Sequence, residues 1–88
     1  MRTVLSLLAL LTVTSLAHAD PKCPTHPKSQ WMPQDTLRKQ LEGQGYQIKT
    51  FKVSGQCYEI YGKDKAGKKV EIYFDTVSGQ PVKSKVES

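Results

Sequence analysis

The sequence predicts an α+β domain: one short helix packed on an antiparallel β-meander of three to four strands. Three observations predict it. Leu37 and Leu41 place a single apolar stripe on a short helical segment. Two alternating segments, Cys57 to Tyr61 and Lys69 to Phe74, flank the turn Asp64-Lys65-Ala66-Gly67. Ser54-Gly55 and Asp75-Thr76-Val77-Ser78-Gly79 add turn signals on either side of that pair.

The first nineteen residues differ in character from the rest. Arg2 forms a short positive start, Val4 to Leu16 is an apolar run broken only by Ser and Thr, and Ala17-His18-Ala19 closes it with small residues at the positions a signal peptidase reads. The run is short for a membrane span, which needs about 20 apolar residues. Cys23 lies beyond the expected cut without a lipobox, so lipid attachment is not expected. The expectation is a bacterial-type exported protein, periplasmic or secreted, without stable membrane insertion once residues 1–19 are removed.

Cleavage before Asp20 leaves 69 of the 88 residues, with 12 of the 13 Lys+Arg and all 8 Asp+Glu, a net charge of +4. A chain this short is one domain, and below about 70–80 residues a hydrophobic core alone supplies only ~3–5 kcal/mol. A covalent staple is therefore expected. Cys23 and Cys57 are the only cysteines, and an oxidising compartment allows one intramolecular pairing.

Asp20 to Gln30 contains three prolines and no hydrophobic periodicity, so it reads as an extended lead tied down by Cys23. Residues 31–88 then form the domain, with a polar C-terminal tail. Trp31, expected in the core or as a staple, precedes a helix from Pro33 to Glu42. Pro33 suits the first helical position and Asp35 the positive end of the dipole. Gly43 and Gly45 are expected to supply the positive φ of its C-terminal cap. Tyr46 and Ile48 alternate on one face, whereas Phe51 and Val53 have the opposite parity; one extra residue near Thr50 restores them, which predicts a β-bulge. Centring the hairpin on Asp64–Gly67 pairs Ile60 with Ile72, Tyr58 with Phe74 and Gly62 with Val70 on the core face. The other face pairs Glu59 with Tyr73 and Tyr61 with Glu71. Pro81-Val82 is expected to start a short edge strand.

At this point the residues resemble a known family. Gly45-Tyr46, Cys57-Tyr58-Glu59-Ile60, Asp64 to Gly67, Val70-Glu71-Ile72-Tyr73-Phe74-Asp75 and Ser78-Gly79 are similar, as an ordered set from Trp31 to Val82, to the PepSY domain in its small exported form. The resemblance implies one helix against an antiparallel meander. It also implies a module found in propeptides of thermolysin-like metallopeptidases, where it inhibits or chaperones the protease, in membrane proteins, and as free periplasmic proteins. No catalytic residues belong to the motif, and no peptidase domain follows it in these 88 residues.

The remaining chemistry is sparse. His26 is the one histidine of the mature chain; Cys23-x-x-His26 offers two metal ligands where a closed zinc site needs four, and haem attachment would need Cys-x-x-Cys-His. His26 is expected to face solvent, and no cofactor is expected. Ser29, Ser54, Ser78, Ser84 and Ser88 lack a Gly-x-Ser-x-Gly elbow. Lys63, Lys65, Lys68 and Lys69 cluster at the hairpin tip without interleaved aromatics, which argues against nucleic acid and leaves weak attraction to anionic headgroups or an acidic partner. Glu59 and Glu71 form a carboxylate pair expected to be exposed on a flat sheet, away from the desolvated cleft that acid–base catalysis uses. The most informative surface is that outer face, Glu59, Tyr61, Glu71 and Tyr73, because tyrosine is enriched where proteins bind partners. The reading is a non-catalytic exported binding module that modulates a peptidase or another envelope protein. The alternative is an accessory of an envelope redox or haem system.

Overall fold

The computed structural model describes residues 21–87; the expected signal peptide and its cleavage point before Asp20 lie outside the described residues. A single 3-10 turn, Lys28–Gln30, precedes helix α1 (Gln34–Gly43) and strands β1 (Gln47–Ser54), β2 (Cys57–Lys63), β3 (Lys69–Asp75) and β4 (Pro81–Val86). The strands form one antiparallel sheet in the order β1-β2-β3-β4, the meander expected from the sequence.

The helix is set by its ends. Pro33 stands at the N-cap, one position before the first helical residue, because its ψ of 141° is extended although its φ of −57° would suit a helix. At the other end Gly43 remains helical, and Gly45 alone takes positive φ, at 101°. The Gly45 N–H donates to the Glu42 carbonyl and the Tyr46 N–H to that of Leu41, the paired bonds of a Schellman cap. A side chain at Gly45 would also strike the Lys65 Cβ, 2.6 Å away.

Leu37 and Leu41 seat α1 on Tyr58, Ile60, Val70, Ile72 and Phe74, with Trp31, Met32, Tyr46, Ile48 and Phe51 closing the cluster. The hairpin register is the expected one at every pair, Ile60 opposite Ile72 and Tyr58 opposite Phe74. Asp64 fixes the turn: its Oδ1 accepts the N–H groups of Ala66 and Lys68 at 2.9 and 3.0 Å. The bulge in β1 falls between Ile48 and Thr50, leaving Lys49 unpaired. Gly62 makes room for it, since a Cβ there would lie 2.0 Å from the Gln47 carbonyl oxygen. Phe51 joins the core as expected, whereas Val53 is 45% exposed at the end of an edge strand.

Two further differences concern the chain ends. Residues 83–86, read from the sequence as polar tail, continue β4 to Val86, held by backbone pairing with β3 while every side chain stays exposed. The lead is anchored at more points than Cys23. Cys23 is bonded to Cys57, with 5.4 Å between their Cα atoms. His26 Nε2 lies 2.9 Å from Asp75 Oδ1. Trp31 Nε1 donates to the His26 carbonyl, its ring meets Tyr58 edge-on at 5.5 Å, and Tyr58 Oη donates to the Met32 carbonyl. His26 is therefore half-buried rather than solvent-facing, because the β3–β4 turn presents it with a carboxylate.

A closed loop of this size stabilises a chain by roughly 3.5–4 kcal/mol in the loop-entropy model. Reduction of the Cys23–Cys57 bond should accordingly lower unfolding free energy by about 2–5 kcal/mol in urea titrations. Ile72→Ala, which empties the centre of the core, should cost a similar ~2–5 kcal/mol. An unchanged urea midpoint after reduction would contradict the staple.

Candidate functional site

Strand parity builds the outer face. With Tyr58, Ile60, Ile72 and Phe74 buried beneath α1, the residues between them point to the side that no helix covers. The pairs Glu59–Tyr73 and Tyr61–Glu71 stand adjacent on the two central strands, so the four residues form one block, with the two glutamates on its diagonal.

Hydrogen bonds tie the block together. Tyr61 Oη and Tyr73 Oη both donate to Glu71 Oε2, each at 2.9 Å, and Lys85 Nζ lies 3.8 Å from Glu71 Oε1. Glu59, expected to be exposed, is only 2% exposed. Its cross-strand neighbours are Lys52 on β1 and Tyr73 on β3, and on its own strand Tyr61 and the disulfide-bonded Cys57 flank it on the same face; these neighbours enclose it. Lys52 Nζ sits 5.4 Å above the Tyr61 ring and 3.9 Å from Glu59 Oε1. Glu59 Oε2 has no hydrogen-bond donor.

A buried carboxylate oxygen without a donor is costly, and a proton removes the cost. Burial, followed by the hydrogen bond to Glu71, raises the pKa of Glu59 above its ordinary value. The same bond, with those from the two tyrosines, holds Glu71 down to about 2. The opposite directions are those of a carboxyl pair that ionises in two steps, Glu71 first and Glu59 after it. Both tyrosine hydroxyls are pushed up: Tyr61 chiefly by its bond to Glu71, Tyr73 chiefly by burial.

The other singled-out residues lie beyond the block, at the end of the sheet where Cys57 pairs with Asp75. Cys23 and Cys57 are both buried and bonded to each other beside the lead. His26 meets Asp75, whose carboxyl also accepts the N–H groups of Val77 and Ser78, at 3.1 and 2.7 Å. Despite the cost of its own burial, these bonds hold Asp75 at about 2. Among the described residues no group of three or more His, Cys, Asp or Glu is placed to hold a metal ion. Lys52 and Lys85 belong to the outer face and were missed by sequence reasoning. Carrying the register across the Ser54-Gly55 turn places Lys52 opposite Glu59, so Lys52 had a readable signal.

The family model described as Peptidase propeptide and YPEB domain, of the PepSY type, matches residues 3–85. Neither the curated proteins nor the solved structures provide a match.

The order of ionisation makes the two glutamates unequal. Glu59→Gln keeps a neutral donor toward Glu71 and should change stability by less than about 1 kcal/mol below pH 4.5, whereas Glu71→Gln strips both tyrosines of their anionic acceptor and should cost about 1–3 kcal/mol at neutral pH. The pH dependence has a definite sign. A raised Glu59 stabilises the fold when protonated and loses that contribution as pH climbs above 4.5, so Glu59→Gln should gain on the wild type in that direction. Glu71 and Asp75 stabilise above their ordinary values of 4.5 and 3.8 and lose this as pH falls toward about 2. Urea titrations across the acid range check both; a Glu59→Gln difference flat with pH would contradict the assignment.

Proposed function

The chain belongs to the peptidase propeptide and YPEB domain (PepSY) family, and from that premise we propose that it is an exported, non-catalytic binding module whose outer sheet face docks a protein of the bacterial envelope. A peptidase is the partner that the family description favours, and its modulation the activity. One observation carries the reading: two tyrosines on the side of the sheet opposite the helix are held by their hydroxyls to a single carboxylate oxygen.

Pinned aromatics suit binding. Tyr61 is 38% exposed and Tyr73 half-buried, and each gives up little rotamer freedom on contact because its hydroxyl is already fixed. Ordering costs of about 0.5–1.5 kcal/mol per immobilised side chain are thus met in the free protein. The shifts of the carboxyl pair diverge as in an acid–base couple, yet Glu59 is buried, and Glu71 is occupied by two hydroxyls and Lys85. The arrangement supports a platform more than a reaction site. An export route and a periplasmic or secreted location are part of the proposal, supported by the disulfide; no helix among the described residues is long and apolar enough to cross a membrane. The haem or redox accessory reading draws no support from His26, whose Nε2 is engaged by Asp75, or from the cysteines, which are paired.

Site-specific photocrosslinking in exporting cells tests the proposal. A photoreactive phenylalanine at Tyr61 should give a discrete protein adduct, identified by mass spectrometry as an envelope peptidase, whereas the same probe at Lys39 on the exposed side of α1 should not. An adduct from position 39 alone, or none from position 61, would overturn the docking face. An adduct with a protein other than a peptidase would keep the face and remove the modulating role.

A further inference from the structure

The outer face is not uniform. Beside the tyrosine block, toward the hairpin turn, a groove of about 550 Å³ runs across all four strands. Its shape follows from two features of the chain already described. The bulge at Lys49 increases the local twist of β1, and Gly62 lets the β1 backbone lie against β2 where a side chain would hold it off. Tyr61 lines the end of the groove nearest the block, and Lys49, Lys63, Lys69 and Lys85 line it from the four strands or their margins.

The charges in this groove are not balanced from within. Lys63 and Lys69 stand directly opposite each other in the hairpin register, a like-charge pair that destabilises a sheet. None of Lys49, Lys63 and Lys69 makes an ion pair among the described residues. Glu71 and Glu87 also line the groove, but among the described residues no acidic group makes an ion pair with these three lysines. Glu71 holds Tyr61, Tyr73 and Lys85; Asp64 closes the turn; Glu87 pairs its backbone N–H with Lys69 without an ion pair from its side chain. A sheet that keeps an unrelieved lysine pair at the edge of a groove is suited to a counter-charge from outside. The recessed shape favours an extended polypeptide over a flat membrane surface. The exposed valines of β4 support this, since Val86 pairs with Val70 on the helix side and offers nothing to insert into lipid from the groove side.

We propose that this groove binds an acidic segment of the partner protein, its carboxylates meeting Lys49, Lys63 and Lys69 and its backbone or side chains resting on Tyr61. The proposal rests on the outer face being the docking surface, and supplies the chemistry of what docks there.

The test uses the mature chain, residues 20–88, and a fluorescein-labelled decapeptide of alternating Glu and Ala, followed by anisotropy at low and at physiological salt. Three exposed ion pairs are worth roughly a tenfold change in affinity, so Lys49→Gln/Lys63→Gln/Lys69→Gln should lose about that much. Lys22→Gln/Lys28→Gln/Lys39→Gln, with the same net charge, should retain most of the binding, and a Gln–Ala decapeptide should bind neither. The groove triple variant should keep or raise its Tm, since it removes a like-charge pair, so lost binding cannot be ascribed to unfolding. Equal loss in the two triple variants would reduce the effect to net charge and overturn the groove. Phosphatidylglycerol vesicles that displace the peptide from the wild type, and fail to bind the groove variant, would assign the groove to lipid headgroups and overturn the acidic-segment reading. Because the titration needs no natural partner, its failure beside a successful crosslink from position 61 would remove this proposal alone.

Discussion

Asp64 accepts two backbone N–H groups across the central turn, and the hairpin it closes sets Ile60 against Ile72 with Tyr58 against Phe74. Side chains alternate along a strand, so that register assigns every neighbouring residue to a face. Four apolar side chains go beneath the helix, and Glu59, Tyr61, Glu71 and Tyr73 go to the open side. A slip of one residue would bury the glutamates under α1 and expose the isoleucines. The core, the carboxyl pair and the tyrosine platform are thus consequences of one turn and one pairing.

The hairpin does not suffice for stability in a domain this small. The chain adds a second layer by folding its lead back along the sheet. The disulfide holds one end, His26 and Asp75 a middle point, and Trp31 with Met32 the approach to the helix. The Met32 N–H also donates to the Thr76 carbonyl at 2.7 Å, so the β3–β4 turn and the lead order each other. These contacts wrap the end of the sheet: Cys57 and Asp75 share the parity of the outer face, whereas Trp31 and Met32 meet Tyr58 on the helix side. Farther along, around Tyr61 and Glu71, the outer face carries no second layer of helix or strand, which is why it can serve a partner.

What could be read from the residues follows the range of the interaction. Local periodicity was enough for the meander, the bulge beside Thr50, the Gly45 cap and each pair of the central hairpin. It placed Pro33 one position too far into the helix and credited Gly43 with a φ that it does not adopt, differences that turn on a single residue of cap geometry. The extent of β4 was not legible, because backbone pairing holds it and none of its side chains is buried to leave a pattern. The His26–Asp75 contact joins residues 49 apart, and nothing local marks it. Parity put Glu59 on the outer face correctly, but parity does not say what lies above a side chain. Its burial depends on the conformations of Lys52, Tyr61 and Tyr73, contributed by three strands.

The account of the site therefore turns on that roofed carboxyl. If Glu71 ionises first and Glu59 after it, the two tyrosines are locked onto a permanent anion, and the outer face is ordered before any partner arrives. Carbon-13 NMR of the glutamate side-chain carboxyls, followed through a pH titration, reads this directly. Two coupled resonances are predicted, one with an apparent pKa above the ordinary 4.5 assigned mainly to Glu59, the other displaced to about 2 and assigned mainly to Glu71. Two independent titrations near 4.5 would show a solvated, unlinked pair and would contradict the preordered platform.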